Sequence, residues 1–570
     1  MQLGFSRVMA IAACGSMFVA PGGARAETLA EAIALAYSGN PTLQQQRAEQ
    51  RALDENYVQA AAGLRPTAQL QLIPSYQDQR FGELQISQQR LFTPNPATHL
   101  ETNGFLGQVV VTQPLYTGGR VTANIATARS QIAAGRQQLR SSEGDLLLNV
   151  VNAYTSVRRD TEILQVEHDS IDALRHQLDE ATARKAAGDA TLTDVAQAEA
   201  ELENEKAAVA AAAQQLEASR AFYFTVVGQN PETLEPEPPL PDLPATVDEA
   251  FSRGEANNPE LKQAELAEKA SAAAIAAARA ANMPNVSLQA SVGDTVQPPP
   301  FLRNITTVVT AEAVITQPLY VGGLNASNIR RAVEQNNADR LAIEVARRQV
   351  VQNIANAWNG WLTATANEVT QQKQVTAAQA AYDGMQIEYR GGLRTSFDVL
   401  FAEETLTQAR VLELEARHDA YFYAASVLRY TGNLEADIIA AGVSKYDPVP
   451  HAKAVERELA PPWDPVVQLL DRVGAPSSLR PLLTAPPVAA APTIVSVAPT
   501  AVPTTALART LPTTPLPGTA PQALTPSSHL APPQQHSGCQ AQPAPTQATL
   551  IQPPSTALAP TASSRKPVCG

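Results

Sequence analysis

The octapeptide TQPLYTGG at residues 112–119 returns almost unchanged as TQPLYVGG at residues 316–323, a shift of 204 residues. The same shift superimposes further residues without a gap over the next hundred positions. These pairs are Gly188 and Gly392, Thr191 and Thr395, Asp194 and Asp398, Leu202 and Leu406, and Gly228 and Gly432. A match of this length predicts that the chain contains one structural unit twice.

The repeat extends upstream of the octapeptides with a different offset. NPTL at residues 40–43 pairs with NPEL at residues 258–261, and Pro66 pairs with Pro284, at a shift of 218 residues. Asn40 and Asn258 are typical helix N-caps, each followed by a proline that suits the first helical turn. The first copy therefore holds 14 extra residues, which we expect in a longer loop around residues 77–99.

Alternation of polar and apolar residues predicts two strands in each copy. They fall at about residues 66–76 and 104–114 in the first copy, and at about 284–293 and 306–317 in the second. Such segments are typical of a transmembrane barrel, although half-buried hairpins of a soluble domain have the same pattern. Four strands cannot close a barrel, because about eight is the smallest number, and open edges are not tolerated in lipid. A membrane-spanning sheet would therefore be shared between protomers, and three protomers would supply twelve strands.

Two stretches without proline, residues 115–230 and 319–447, predict long helices. Each is interrupted once, by AAGDATLTDV at residues 186–195 and by RGGLRTSFDV at residues 390–399. Glycine suits a helix C-terminus and threonine the next N-cap, so we expect helical hairpins at residues 120–228 and 324–432. Apolar residues at every seventh position of the first helix predict a coiled-coil seam. They are Val150, Val157, Leu164, Ile171 and Leu178.

Residues 1–26 have the pattern of a secretory signal peptide. Arg7 precedes an apolar run, and Ala24-Arg25-Ala26 resembles a cleavage site. The alternative is a lipoprotein box that ends at Cys14, which would then carry lipid. No later stretch has the roughly 18 consecutive apolar residues of a membrane-spanning helix, so a membrane-spanning part would consist of strands.

The predicted repeats occupy residues 27–230 and 246–432, with a proline-rich linker at residues 231–245. Residues 433–570 form a C-terminal extension rich in proline, alanine and threonine, which we expect to be disordered beyond residue 447. We interpret this extension as a passive periplasmic tail, with a wall-binding or adaptor-binding arm as the alternative.

Charge and composition argue against several functions. The net charge of -13 disfavours nucleic-acid binding. The seven histidines show no metal-ligand spacing, and the sequence contains no recognisable nucleophile or phosphate loop. We therefore predict no catalytic residue, no cofactor and no metal site, and a protein that is not an enzyme.

Taken together, these features resemble the TolC family of outer-membrane channels over residues 27 to about 432. The resemblance rests on ETLAEAIALAYSGNPTL at residues 27–43, on both QPLYxGG segments, and on two tips of the form Gly-x-x-Thr-x-x-Asp-Val. It implies a mostly α fold with transmembrane β strands, in which a homotrimer builds a twelve-stranded barrel in outer-membrane lipid. The barrel would continue into a periplasmic α-helical barrel. The family implies an exit duct for type I secretion or tripartite efflux, docked on a periplasmic adaptor and an inner-membrane transporter.

The resemblance also implies a gate at the periplasmic end. By position in the motif, the closing links would involve Thr193 and Asp194 at the first tip, and Tyr389 and Arg394 near the second. Asp398 would line the narrowest opening. A second acidic ring is absent from the pattern, because Phe401 stands where the family's best-studied type has an aspartate. The alternative is structural: the aspartates would cap helices, the tyrosine would pack and the arginine would be solvated.

Glycine pairs and prolines mark both strand-to-helix junctions. We interpret them as a swivel between a wide barrel and a helical bundle, with an ordinary turn as the alternative. The junction residues are Pro66, Pro114, Gly118, Gly119, Pro284, Pro318, Gly322 and Gly323.

A soluble periplasmic coiled-coil adaptor is the alternative function. Adaptors also contain long helical hairpins, but they lack duplicated alternating strands, which favours the channel. The sequence does not identify the cargo, since one duct can pass proteins or small toxic molecules.

Overall fold

A computed structural model describes residues 26–90, 98–296, 305–440, 443–458 and 460–476. The chain divides into two units, Met1–Ile494 and Val495–Gly570. The second unit lies outside the described residues, as do residues 1–25 of the predicted signal peptide, which include Cys14, and the tail beyond residue 476.

The first copy contains six helices and two strands in the described ranges. In chain order they are α1 (Leu29–Gly39), α2 (Pro41–Asp54), α3 (Asn56–Ala61), β1 (Thr67–Arg80), α4 (Glu83–Arg90), β2 (His99–Tyr116), α5 (Arg120–Ala187) and α6 (Leu192–Val227). The loop expected around residues 77–99 is more ordered than predicted, because β1 continues to Arg80 and α4 follows it.

The second copy has the same order of helices, two strands and a long helical hairpin, with two helices before its strands; residues 297–304, between the strands, lie outside the described ranges. Its elements are α7 (Val247–Asn257), α8 (Pro259–Ala280), β3 (Asn285–Val296), β4 (Ile305–Thr316), α9 (Leu324–Arg390) and α10 (Ser396–Thr431). Three short helices follow: α11 (Ala436–Ile439), α12 (Val449–Arg457) and α13 (Asp464–Asp471). At 68 residues, α5 is about 100 Å long.

The four strands form one antiparallel sheet in the order β1-β2-β3-β4. Thr67 pairs with Thr112 and Asn285 pairs with Thr316, so β1 begins and β4 ends at the same end of the sheet. The pairing of β2 with β3 shifts register between Pro114 and Tyr116. Since β1 and β4 each pair on one side, the described sheet has two open edges.

The main hydrophobic core joins α1 to α5, α6 and α10. Its largest fully buried side chains include those of Tyr154 and Tyr223. The Tyr154 hydroxyl donates to the backbone carbonyls of Glu27 and Glu235, at 2.9 and 2.7 Å, and so ties the start of the first repeat to the linker. The seven-residue stripe on α5 packs inward, with Val150, Val157 and Ile171 buried, which fits a helix-packing seam.

The segment after residue 447 differs from the expectation of disorder. Here α12 and α13 pack against the first copy: His451 lies 2.8 Å from the Asp54 carboxylate, and buried Asp464 pairs with Arg65 at 3.5 Å. Val467 adds an apolar contact to a cluster with Tyr57. The acidic residues that make these contacts come before Pro481, after which the sequence contains no acidic residue and is rich in proline, alanine and threonine.

Candidate functional sites at the helical tips and the strand-to-helix junctions

The first tip, residues 188–195, is a tight reversal between α5 and α6. Gly188 ends α5 with φ of 88°. Thr191 then caps α6, and its hydroxyl accepts a hydrogen bond from the Asp194 amide at 3.2 Å. In return the Asp194 carboxylate accepts from the amide and the hydroxyl of Thr191, both at 2.8 Å. This reciprocal capping box fixes Asp194 to the first turn of α6.

The second tip, residues 392–399, repeats this geometry. Gly392 has φ of 75°. The Asp398 carboxylate accepts from the amide and the hydroxyl of Thr395 at 3.0 and 2.9 Å. Asp398 is therefore fixed to the start of α10 in the same way as Asp194 is fixed to the start of α6.

Both capping aspartates carry a stabilised negative charge. The backbone N–H and then the hydroxyl of Thr191 hold the pKa of Asp194 below its ordinary value. The same two groups of Thr395, with a smaller effect of the Arg394 charge, lower the pKa of Asp398. Each tip thus presents an ionised carboxylate at neutral pH.

Arg394 is half-exposed and lies beside the second tip. Its guanidinium Nε donates to the Glu388 carboxylate at 2.8 Å. The bond to Glu388 and the nearby charges raise the pKa of Arg394. Within the described part of the chain, Arg394 forms no ion pair with Asp194.

Tyr389 is buried, and its ring lies under the Arg184 guanidinium at 4.1 Å from the ring centroid. Gln177 donates to the Ser396 hydroxyl at 3.5 Å, so the two hairpins also touch nearer the second tip. Sequence reasoning did not identify Arg184 as a partner of Tyr389, because the contact joins helices about two hundred positions apart. Of the predicted gate residues, the described chain brings none into a hydrogen bond with another.

Exposed apolar side chains surround the second tip. Phe401 occupies the place of the second acidic ring, and its side chain is exposed. Leu393 and Phe397 are exposed on the same tip. Thr193, at the first tip, is exposed as well.

A group of three carboxylates inside the helical hairpins was missed by sequence reasoning. Glu205 on α6 and Glu403 on α10 are buried, and each has one carboxylate oxygen without a hydrogen-bond partner among the described residues. Burial raises the pKa of Glu403. Burial, followed by the hydrogen bond and the charge of Glu205, raises the pKa of Glu167 to about 8. No sequence signal distinguishes these glutamates from solvated ones, since their burial depends on tertiary packing.

The first junction, residues 113–119, is closely packed. Gly118 and Gly119 have φ of 68° and 81°, in the left-handed region that favours glycine. A Cβ on Gly118 would lie 2.2 Å from the Met283 Cβ, and one on Gly119 would lie 2.4 Å from the Ala475 Cβ. Glycine is therefore required here for both backbone angle and space.

A buried carboxylate from the C-terminal extension holds this junction. Asp471 accepts hydrogen bonds from the amide and hydroxyl of Thr117 at 2.6 and 2.8 Å, and from the Gly119 amide at 3.2 Å. It also accepts from the amide and hydroxyl of Thr122 at 3.3 and 2.9 Å. The first amides of α5 thereby obtain an acidic partner, which suits the positive end of a helix.

The second junction, residues 317–323, has the same backbone but lacks this cover. Gly322 and Gly323 have φ of 62° and 82°, and a Cβ on either would meet nothing within 4 Å in the described chain. Leu319 and Tyr320 are 93% and 88% exposed. The equivalent Leu115 and Tyr116 of the first junction are partly buried.

The glutamine of each QPLY motif ties the end of one strand to the start of another. Gln113 donates to the Leu64 carbonyl at 2.7 Å, and Gln317 donates to the Asn282 carbonyl at 2.9 Å. Each acceptor lies two residues before the proline, Pro66 or Pro284, that precedes the next strand. In the second motif β4 ends at Thr316, so Gln317 and Pro318 are the first two residues after the strand.

Two further kinds of feature, metal sites and membrane-spanning helices, concern the described residues. The described residues contain no group of histidine, cysteine or carboxylate side chains that could hold a metal ion. No helix in the described ranges combines the length and the apolar character needed to cross a membrane.

Comparisons with known proteins agree on one family. The model of the outer membrane efflux protein family matches residues 32–227 and 251–433. The outer membrane efflux protein BepC of Brucella suis biovar 1 (strain 1330) is 32% identical over 435 residues, which cover 76% of this chain and 91% of BepC. The outer membrane protein TolC of Escherichia coli (strain K12) is 25% identical over 448 residues, covering 75% of this chain and 86% of TolC.

Among solved structures, the CmeC outer membrane channel of Campylobacter jejuni superposes with a TM-score of 0.64 at 14% identity, covering 76% of this chain and 90% of CmeC. At this identity the superposition supports the fold alone. The family match and the BepC relationship go further and confirm the resemblance to TolC-type proteins. The chain therefore belongs to the outer membrane efflux protein family and is a protein of the bacterial outer membrane.

Proposed function

We propose that three copies of this chain close one twelve-stranded barrel in the outer membrane and form a passive exit duct that is gated at its periplasmic end. The observation that carries the proposal is the two-faced sheet with two open edges. Unpaired edges are not tolerated in lipid, and four strands are too few to close alone. Sister copies supply the missing strands when β4 of one protomer pairs with β1 of the next.

The cross-strand register sorts side chains onto one apolar and one polar face. A row of exposed apolar residues crosses all four strands at one level: Leu70, Val109, Val292 and Val309. A row on the other face is wholly polar: Thr67, Thr112, Gln289 and Glu312. Adjacent lipid-facing and water-facing rows are what a membrane barrel with an aqueous lumen requires.

The tips support a gate at the other end of the duct. Three copies of Asp398 around one axis would concentrate negative charge in a narrow opening and attract cations. Thr193, Asp194, Tyr389 and Arg394 would close the opening through links between protomers. The exposed pairing of Arg394 with Glu388 is of the surface type, worth about 0–1 kcal/mol, so a docked component can replace it.

The route of the cargo follows from the partners of such a duct. The exposed apolar residues of the second tip, Leu393, Phe397 and Phe401, suit contact with a periplasmic adaptor, which would connect the duct to an inner-membrane transporter. The duct then serves type I secretion or tripartite efflux. A soluble coiled-coil adaptor is a poorer fit, because the wholly apolar row of the sheet would be exposed to water in a soluble protein.

The test is the state of the purified mature protein. We expect a protein that requires detergent, migrates as a trimer after amine cross-linking, and forms cation-selective channels in planar bilayers. A water-soluble monomer without detergent would refute the shared barrel. A detergent-soluble trimer without channel activity would leave the barrel standing and refute the duct.

A further inference from the structure

The strap, defined as residues 460–476 and containing α13, has two faces of different character. Its inner face packs on the first junction through Asp464, Val467 and Asp471, all buried. Its outer face exposes apolar side chains at helical spacing. These are Val466, Leu469, Leu470 and Val473. Nothing in the described chain covers this outer stripe.

The strap lies at one particular edge of the sheet. Asp464 pairs with Arg65, two residues before β1 begins, at 3.5 Å. Trp463 donates to the Gln113 side chain at the end of β2, at 3.3 Å. The strap therefore lies at the end of the sheet where the edge strand β1 starts, against the residue that precedes β1 and against the end of β2.

The second junction lies at the opposite edge of the same sheet and at the same end. It follows β4 directly, and its Leu319 and Tyr320 are almost fully exposed. The corresponding leucine and tyrosine of the first junction, Leu115 and Tyr116, are partly buried, and a Cβ on Gly474 of the strap would lie 3.8 Å from the Tyr116 hydroxyl. The two copies thus share an apolar motif, but only the first copy has a cover for it.

We infer that the outer face of the strap docks on the second junction of a neighbouring copy of this chain. This inference rests on the proposed shared barrel. Each strand is antiparallel to the one beside it, so β4 of one protomer and β1 of the next can also pair in an antiparallel way. That pairing brings the end of β4 at Thr316 next to the start of β1 at Thr67. The neighbour's second junction then lies against the strap.

The contact extends an intersubunit seam beyond the strands. A single protomer cannot make it internally, because β2 and β3 separate the two edges. Burial of Leu469, Val473 and the facing Leu319 and Tyr320 removes apolar area from water on both sides of the seam. The C-terminal extension therefore acts as a clamp between subunits at the strand-to-helix boundary, and not only as a tail.

Disulfide trapping between two tagged full-length chains tests the inference. Both chains carry Cys539→Ser and Cys569→Ser, one also carries Leu469→Cys, and the other also carries Tyr320→Cys. We expect a mixed-tag disulfide dimer after mild oxidation in isolated outer membranes. The control replaces Tyr320→Cys by Leu192→Cys, because Leu192 is also exposed, at 68% against 88% for Tyr320, but lies at the first tip. The control pair should form no mixed dimer.

The outcomes separate this inference from the proposed function. An intact trimer with no more mixed dimer than the Leu192→Cys control would overturn the strap contact and leave the shared barrel standing. Failure of the parent protein to form a trimer would refute the barrel itself. As a second measurement, brominated phosphatidylcholine should not quench a bimane label on Leu469→Cys. Strong quenching would show that the strap faces lipid and would also overturn the inference.

Discussion

Replacing Asp471 by alanine should detach the strap from the first junction. The carboxylate accepts five hydrogen bonds, from the amides of Thr117, Gly119 and Thr122 and from two hydroxyls, and it is fully buried. Hydrogen bonds to a charged group are worth about 1.5–3 kcal/mol each, but bonds that share one carboxylate do not add. The loss is also limited, because the strap can lift and admit water once its main anchor is gone.

The ceiling on the effect is the free energy that holds the strap in place. Besides Asp471, the strap is held by burial of Val467, worth about 1.5–3 kcal/mol, and by the Asp464–Arg65 pair. We therefore expect Asp471→Ala to destabilise the docked strap by about 2–3 kcal/mol. Since about 1.4 kcal/mol corresponds to tenfold, local opening should become about 30–150 times more frequent.

Hydrogen–deuterium exchange of the full-length protein in detergent measures this opening. Peptides that contain the amides of Thr117, Gly119 and Thr122 should exchange faster in Asp471→Ala, while peptides from the middle of α5 should not change. Asp437→Ala, which removes an exposed aspartate from α11, is the control and should leave exchange at the junction unchanged. Equal protection of these amides in Asp471→Ala and the parent would refute the anchoring role.

Three further predictions concern the tips and the buried glutamates. The double variant Asp194→Asn, Arg394→Gln should raise single-channel conductance in planar bilayers, because the proposed closing links would be lost. Unchanged conductance would contradict the gate assignment. Asp398→Asn should weaken cation selectivity, measured as the reversal potential in a salt gradient, and full retention would place the acidic ring elsewhere. Glu167, with its pKa raised from 4.5 to about 8 by burial and Glu205, holds a proton in the folded state that the unfolded chain has lost. The stability that this carboxyl group contributes is present below pH 4.5 and is lost as the pH rises to 8. Glu167→Gln should therefore raise the melting temperature more at pH 9 than at pH 5. An equal change in melting temperature at both pH values would refute the titration.

Local sequence signals were most informative where a single residue type satisfies a backbone requirement. Gly188 predicts the end of one helix and Thr191 predicts the start of the next. The structure has a left-handed glycine and a capping box at these positions. The duplication helped as well, because the second copy shows clean strand alternation where the first is less regular.

Tertiary contacts between distant segments could not be predicted in the same way. The contact of Arg184 with Tyr389 and the burial of Glu205 depend on how the hairpins pack, which no local pattern encodes. The strap was missed because its helix of 8 residues is short and lies between proline-rich stretches. Its main anchor is Asp471, and the five donors of Asp471 lie about 350 residues earlier in the chain.

In the proposed trimeric duct, the capping boxes at the tips have a mechanical consequence. Each acidic side chain is tied to the first turn of its own helix, so it cannot stay behind when that helix swings outward. A wider aperture then carries its three negative charges further apart, and their combined field at the axis weakens as the radius grows. Throughput and ion preference of the proposed duct would therefore change in opposite directions during one and the same movement.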